Sequence, residues 1–273
     1  MKNYLILSVL LTCVGLSQVN NINEKALFDG TSKDGKKNGE WVYYYEDGTI
    51  EKQGNYNEGI RDGLWINYWE DGKIKGKGSW KDGIPYGRMI GYYQNGNITL
   101  EGTYKDGKKN GEWVTYHENG NIARESVLKD DKYEGKVIYY YEDVETINRQ
   151  ENYKDGIQDG KYIEYYQNGQ VHCDGTYKDG YQIGNWVYYY ENGNKMRQGN
   201  IKDGKEDGKW TIYWEDGKIK GESTYKNGKE NGKWVGYYPN GQKFIEGTYK
   251  DGKEVGKWTV YNEDGTINKV IEY

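Results

Sequence analysis

Residues 39–63 read GEWVYYYEDGTIEKQGNYNEGIRDG, and this pattern returns throughout the chain. Its opening glycine recurs every 24 residues, with a single step of 25. The ten opening glycines are Gly39, Gly63, Gly87, Gly111, Gly135, Gly160, Gly184, Gly208, Gly232 and Gly256. A fixed period of this length is typical of repeat architectures, in which each unit contacts only its neighbours. We number the units 1 to 10 and count positions from the opening glycine as zero.

The first half of each unit has the composition of a β-strand. Position 2 is usually Trp, position 3 is β-branched, position 5 is Tyr in every unit and position 6 is mostly aromatic. Aromatic and β-branched side chains suit a pleated surface. Because side chains alternate along a strand, positions 2, 4 and 6 are expected on one face and positions 3 and 5 on the other.

The second half of each unit predicts a turn and a returning strand. A pair such as Asp47-Gly48 tolerates the positive φ angles of a type I′ turn. Ile50, Gly54 and Tyr56, at positions 11, 15 and 17, are then expected on one face of the second strand. A ring from a neighbouring strand could cover the gap left by the glycine. A second turn, often Lys-Asp-Gly-Lys, leads to the next opening glycine.

Each unit is therefore predicted to be a β-hairpin. The fold class expected is all-β: an elongated, twisted, single-layer antiparallel sheet of about ten tandem 24-residue hairpin repeats. Only 34% of the residues are hydrophobic and 30% are charged, a polarity that can indicate disorder. The 31 Tyr and 10 Trp argue against disorder and favour a thin sheet covered by rings and lysine stems.

The N-terminal residues 1–17, MKNYLILSVLLTCVGLS, have the pattern of a secretory signal peptide. We expect cleavage after Ser17, which leaves Gln18 first and exports the protein to the periplasm, cell surface or medium. The alternatives are an uncleaved anchor and a lipoprotein acylated at Cys13. Residues 18–38 are expected to form a lead-in with an N-terminal cap strand, before the ten-unit domain at 39–273.

Unit 5, residues 135–159, departs from the pattern. Its tip reads Glu142-Asp143-Val144 without glycine, it has one extra residue, and Glu151 replaces the small residue at position 15. We expect a bulge or longer loop near 142–147 and a local change of sheet twist. Neutral drift, or a hinge or binding notch, would each explain the irregularity.

The pattern Gly-x-Trp-x-x-Tyr-Tyr-x-x-Gly-x-Ile, closed by Gly-x-Tyr-x-x-Gly, resembles the variant MORN repeat of many bacterial proteins. Residues 39–56 and 232–249 match it closely, and the resemblance covers about 39–273. Proteins of this kind are often named YwqK-type antitoxins, and related eukaryotic repeats are associated with membrane-proximal scaffolding and lipid contact. The resemblance implies an interaction module without enzymatic residues. Export departs from the antitoxin picture, because a cytosolic toxin cannot be neutralised from outside the membrane.

The sequence offers little for catalysis. It has two histidines, and neither lies at a fixed offset from an acid or nucleophile. His172 and Cys173 are adjacent, and strand neighbours point to opposite faces, so we expect no metal site there. No cofactor motif occurs, and we predict that the protein is not an enzyme. The net charge of −5 is spread without a basic patch, which argues against nucleic acid and membrane surfaces as partners.

The aromatic row at position 6 is the best binding candidate, although packing is its simplest role. Its members are Tyr45, Trp69, Tyr93, His117, Tyr141, Tyr166, Tyr190, Trp214 and Tyr238. The first hypothesis is an exported, non-enzymatic scaffold for a protein partner, with a localised patch near unit 5; an antitoxin-like or immunity-like role is one form of it. The alternative is a cell-envelope glycan-binding module, which predicts equivalent aromatic pockets at every unit.

Overall fold

The structure is a computed structural model that describes residues 27–143 and 146–273. The predicted signal peptide and most of the lead-in lie outside these residues. The described chain is all-β, and its strands form one open antiparallel sheet. In that part of the chain, no helix is long and apolar enough to span a bilayer. The predicted fold class is confirmed.

Within the described residues there are 23 strands, and consecutive strands are paired except at two places where a short strand and the strand after it share one partner. The strands are β1 Phe28–Lys33, β2 Lys36–Tyr44, β3 Ile50–Asn57, β4 Ile60–Tyr68, β5 Ile74–Lys81, β6 Ile84–Tyr92, β7 Ile98–Lys105, β8 Lys108–Tyr116, β9 Ile122–Lys129, β10 Lys132–Tyr140, β11 Ile147–Lys154, β12 Ile157–Gln158, β13 Gly160–Tyr165, β14 Val171–Lys178, β15 Tyr181–Tyr189, β16 Lys195–Lys202, β17 Lys205–Tyr213, β18 Ile219–Lys226, β19 Lys229–Glu230, β20 Gly232–Tyr237, β21 Lys243–Lys250, β22 Lys253–Tyr261 and β23 Ile267–Glu272. β12 and β13 both pair with β11, and β19 and β20 both pair with β18, so the 23 strands occupy 21 places across the sheet. At about 4.8 Å per place, the sheet is roughly 95–100 Å long.

The tryptophans at position 2 form the core of this thin sheet. Gly54 pairs with Trp41 on one side and with Trp65 on the other. The indole of Trp65 covers Gly54 and is fully buried. Five other strand glycines are covered by a tryptophan in the same way: Gly30 by Trp41, Gly102 by Trp113, Gly175 by Trp186, Gly199 by Trp210 and Gly247 by Trp258. The predicted covering of strand glycines by neighbouring rings is confirmed.

Tyrosines and cations close the spaces around the tryptophans. Tyr56 meets Trp65 edge-on, with ring centroids 5.0 Å apart. The Lys37 ammonium lies 4.5 Å from the Trp41 ring, and the Arg61 guanidinium lies 4.3 Å from the Trp65 ring. Such contacts add to apolar burial, because the ring face is electron-rich and the cation stem is apolar. We call this surface the tryptophan face.

The turns differ from the expectation. Both central residues have positive φ in the connecting turns, as at Glu58 (48°) and Gly59 (87°). At the hairpin tip only Gly48 is left-handed (91°), so the prediction of a type I′ turn at Asp47-Gly48 is wrong. The tip is a longer loop, in which the Asp47 carboxylate accepts the Thr49 N–H at 2.8 Å. This bond stabilises the aspartate in ordinary backbone geometry and leaves only the glycine left-handed.

Most opening glycines lie inside strands, whereas Gly160 and Gly232 are the first residues of β13 and β20. In β4, Asp62 and Trp65 pair with consecutive residues of β3, so Gly63 and Leu64 are left unopposed. Gly63 has φ of 81°, which favours glycine at this point. The recurrent glycine therefore marks a β-bulge in every second strand of the repeat.

A second bulge lies near each tip. Tyr43 pairs with Lys52 and Tyr44 pairs with Ile50, which leaves Glu51, at position 12, unopposed. The extra residue shifts the alternation of side chains. Ile50 pairs with Tyr44 and lies on the face opposite the tryptophans, whereas Gly54 pairs with Trp41 and lies on the tryptophan face. The expectation that positions 11 and 15 share a face is wrong.

In unit 5 the extra residue is accommodated in the tip loop. Tyr140 still pairs with Ile147, and the Tyr141 N–H donates to the Thr146 carbonyl at 3.1 Å, five residues on rather than four. The predicted longer loop is confirmed, although residues 144–145 lie outside the described part. Glu151 is buried at position 15, where its carboxylate contacts the Arg149 guanidinium at 2.9 Å.

Candidate binding surface at the hairpin tips

The side chains at position 6 are half-buried and tie each unit to the next. The Tyr45 hydroxyl donates to the Tyr68 carbonyl at 2.7 Å, one unit further along the sheet. Equivalent bonds join Tyr93 to Tyr116, Tyr141 to Tyr165, Tyr166 to Tyr189, Tyr190 to Tyr213 and Tyr238 to Tyr261. His117 Nε2 lies 3.3 Å from the Tyr140 carbonyl. The polar atoms of these predicted site residues are therefore used within the sheet.

Trp69 and Trp214 are the exceptions in this row. Their indole nitrogens are buried without a hydrogen-bond partner among the described residues. The side chain at position 12 covers each ring, with the Lys75 ammonium 4.3 Å from Trp69 and the Lys220 ammonium 4.5 Å from Trp214. The size of the side chain at position 12 therefore limits how much of the position-6 ring is accessible to a ligand.

Asparagines at the tips form a second ladder. The Nδ2 groups of Asn95 and Asn97 both donate to the Glu118 carbonyl, at 2.8 and 2.9 Å. Similar bonds start from Asn119, Asn121, Asn168, Asn192, Asn194 and Asn240. From the sequence, position 8 is predicted only as part of the turn, and no prediction is made for position 10. Their recurrence at positions 8 and 10 is the signal that could have revealed bonding between units.

An open cleft of about 460 Å³ lies where units 4 and 5 meet. Its lining includes two of the predicted site residues, His117 and Tyr141. The remaining lining residues are Thr115, Ala123, Arg124, Tyr139, Tyr140, Glu142 and Asn148. The Nε of Arg124 is buried and has no hydrogen-bond partner within the described chain. We call this feature the tip cleft.

The clefts along the row are unequal. Beside Tyr45 the opening is about 190 Å³, and its lining includes Glu51, Asn67 and Lys75. That site is smaller and more charged than the tip cleft. The equivalent pockets expected for a glycan-binding ladder are not found at these two places.

Two tyrosines near the tip cleft, Tyr140 and Tyr116, have raised pKa values. Burial, and then the hydrogen bond to Glu125, raise the pKa of Tyr140 to about 12. The Tyr140 hydroxyl donates to that carboxylate at 2.7 Å. Burial, and then the hydrogen bond to Glu101, likewise raise the pKa of Tyr116 to about 12. These groups can donate hydrogen bonds, but they are poorly matched to proton transfer near neutral pH.

Unit 6 brings together Glu164, His172 and Cys173, the last two of which were expected to point to opposite faces. The same Glu164 oxygen, Oε2, lies 3.6 Å from His172 Nδ1 and 3.6 Å from Cys173 Sγ. The expectation that adjacent His172 and Cys173 diverge is wrong, because His172 occupies the bulge position and the register shifts there. Cys173 is buried, which raises the pKa of its thiol to about 12.

No curated protein matches the chain in sequence. Among solved structures, it is similar to part of TcdB2-TccC3, with 10% identity, 87% of this chain and 16% of that chain covered, and a TM-score of 0.22. It is also similar to part of a Photorhabdus luminescens Tc holotoxin pore, with 11% identity, 85% and 16% covered, and a TM-score of 0.18. The chain spans about one sixth of those chains, and scores this low carry no argument about function.

The MORN repeat variant model matches eight segments that together cover more than half of the chain. The segments are 37–58, 61–82, 85–106, 109–130, 158–179, 182–203, 206–227 and 230–251. The interruption between 130 and 158 falls on the irregular unit 5. The matched segments coincide with hairpins of the sheet, and the chain belongs to the family of MORN repeat variant proteins.

Proposed function

We propose that this protein is a non-enzymatic repeat scaffold that binds a protein partner at the tip cleft. The observation that carries the proposal is the cleft itself. It lies beside the one irregular unit, it is lined by the rings of His117 and Tyr141, and it contains the unpaired Nε of Arg124. A localised site of this kind suits a single partner better than a repeating ligand.

The lining indicates the chemistry of the partner. A hydrogen bond to a charged group such as a guanidinium contributes about 1.5–3 kcal/mol. A carboxylate or backbone carbonyl of the partner would accept from Arg124. An apolar or aromatic side chain would fit between the rings beside it, since such anchors supply much of the affinity at protein interfaces.

The bonds between units support a scaffold role. The hydroxyls at position 6 and the asparagine ladder fix the tips of successive hairpins to one another. A surface fixed before binding loses little conformational entropy when a partner arrives. The raised pKa values of Tyr140 and Tyr116 and the open tip cleft fit a binding surface rather than an enzyme.

We further propose that the protein acts outside the cytoplasm, because residues 1–17 have the pattern of a signal peptide. The partner is then an envelope or extracellular protein. An immunity-like role, in which the partner is a toxin, is one form of this proposal. Binding to envelope glycan is the alternative outcome of the experiment below.

Photocrosslinking from the rim of the tip cleft tests the proposal. A crosslinking amino acid is placed at Glu142 and, as a matched control, at Glu191, which occupies position 7 of a regular unit and is also exposed. The expected result is one crosslinked protein from position 142, competed by unlabelled chain and absent from position 191. Equal products from both positions, or retention on peptidoglycan or other envelope glycan without a protein product, would contradict it.

A further inference from the structure

Three metal-ligating side chains converge in unit 6, on β13 and β14. A carboxylate oxygen of Glu164, a ring nitrogen of His172 and Cys173 Sγ all lie within 4.8 Å of one another. Glu164 and Cys173 are directly paired across the two strands, and His172 occupies the adjacent bulge. The convergence therefore results from backbone register rather than from flexible surface side chains.

We infer that this cluster binds a thiophilic divalent metal ion, with Zn²⁺ as the physiological candidate. Zinc bonds of about 2.0–2.3 Å in tetrahedral geometry place ligand atoms roughly 3.3–3.8 Å apart. Both distances from Glu164 Oε2 are 3.6 Å, which matches two edges of that tetrahedron. Thiolate and imidazole ligands favour zinc and similar ions over magnesium or calcium. Three protein ligands leave the fourth position open to water or to a group from a partner.

Neighbouring side chains orient the Glu164 and His172 ligands. The Tyr162 hydroxyl donates to Glu164 Oε2 at 3.2 Å, and such outer contacts orient metal ligands. The Tyr166 ring packs against the His172 ring with centroids 4.7 Å apart, which limits its rotation. Among the described residues, the ion pair of Glu164 is with His172 rather than with a lysine or arginine.

The other units show that the repeat itself does not require these residues. Positions 4, 12 and 13 hold Tyr188, Met196 and Arg197 in unit 7. The three donor types coincide in unit 6, next to the irregular unit. On binding, the metal replaces the Cys173 thiol proton, which passes to solvent. The two negative charges of the Cys173 thiolate and the Glu164 carboxylate then balance the charge of the divalent ion.

Cobalt titration tests this site, because a Co²⁺–thiolate bond absorbs in the near ultraviolet and tetrahedral Co²⁺ absorbs in the visible. The chain carries Cys13→Ser, so that Cys173 is its only thiol. We expect one equivalent of Co²⁺ to give both signals and Zn²⁺ to remove them. Cys173→Ser should abolish the thiolate band, and His172→Gln and Glu164→Gln should each weaken binding at least tenfold.

The matched control is His117→Gln, which removes the other histidine of the chain and should leave cobalt affinity unchanged. Circular dichroism without metal shows whether each variant is folded. If Cys173→Ser fails to fold, the half-exposed positions His172 and Glu164 still decide the question. The inference is overturned if no thiolate band forms with stoichiometric Co²⁺, or if the band persists with full affinity in both His172→Gln and Glu164→Gln.

Discussion

The indole of Trp65 lies directly over the α-carbon of Gly54, on the neighbouring strand. A β-carbon built at Gly54 would lie 2.6 Å from Cγ of the indole, well inside contact distance. This relationship explains why a strand that contains glycine is stable. The ring fills the space that a side chain would occupy, and its own burial supplies apolar contact in a sheet without a second layer.

Gly54→Ala is expected to destabilise units 1 and 2. The added methyl group must displace a fully buried ring, and overpacking of this kind costs about 1–3 kcal/mol. The control is Gly91→Ala, also within a strand, where the nearest atom to an added β-carbon is Leu100 Cγ at 3.4 Å. Urea unfolding should show a lower midpoint for Gly54→Ala alone. Equal midpoints for the two variants would refute the covering role of Trp65.

Tyr190→Phe removes the bond from its hydroxyl to the Tyr213 carbonyl, which measures 2.9 Å. A net loss of about 1 kcal/mol is expected, because the half-buried carbonyl loses its donor. Hydrogen exchange should show faster exchange at the tips of units 7 and 8. Tyr181→Phe, at a side chain that is 62% exposed, should leave exchange unchanged. Unchanged exchange in Tyr190→Phe would show that position 6 does not couple the units.

Stability at acid pH should depend on Glu246. The hydrogen bond from Tyr261, and then Lys243, lower the pKa of this carboxyl from 4.5 to about 2. Since the pKa in the folded state is lower than in the unfolded state, the stabilisation is complete above pH 4.5 and is lost as pH falls towards 2. The urea midpoint should therefore fall less steeply over this range in Glu246→Gln than in the parent protein.

Glutamine is an acceptable replacement at this position. Gln198 occupies the same position in unit 7 and contacts the hydroxyl of Tyr213 at 2.9 Å, as Glu246 contacts Tyr261. Glu246→Gln should therefore fold at neutral pH. Parallel pH profiles for the variant and the parent protein would show that Glu246 makes no contribution to acid sensitivity.

Much of the fold could be predicted from the sequence, because every unit repeats the same physical constraints. Position 2 is Trp in seven of the ten units, and strand glycines and turn pairs recur in most of them, so the hairpins and the covering of strand glycines by rings follow from pattern alone. The turn types could not be assigned in the same way. Asp-Gly occurs at both ends of the hairpin, and only the side-chain bond of Asp47 distinguishes the tip from the connecting turn.

The candidate sites were harder to predict, because they depend on the bulges. Counting alternate residues placed His172 and Cys173 on opposite faces, and one unopposed residue was enough to reverse that result. The residue in the same bulge also covers the position-6 ring of its unit. In unit 9, this residue is Phe244, whose ring centroid lies 5.1 Å from that of Tyr238. The residues of the tip cleft come from two units, and their convergence appears only when neighbouring hairpins are paired.

The most direct test of the proposed function is the affinity of the crosslinked partner for a chain whose tip cleft is filled. Ala123→Phe places a ring at position 12 of unit 4, which the natural Phe244 shows the repeat can hold. Met196→Phe makes the same change in regular unit 7. The account predicts at least tenfold weaker binding, or about 1.4 kcal/mol, for Ala123→Phe alone. Full affinity in a folded Ala123→Phe chain, or equal loss in both variants, would contradict it.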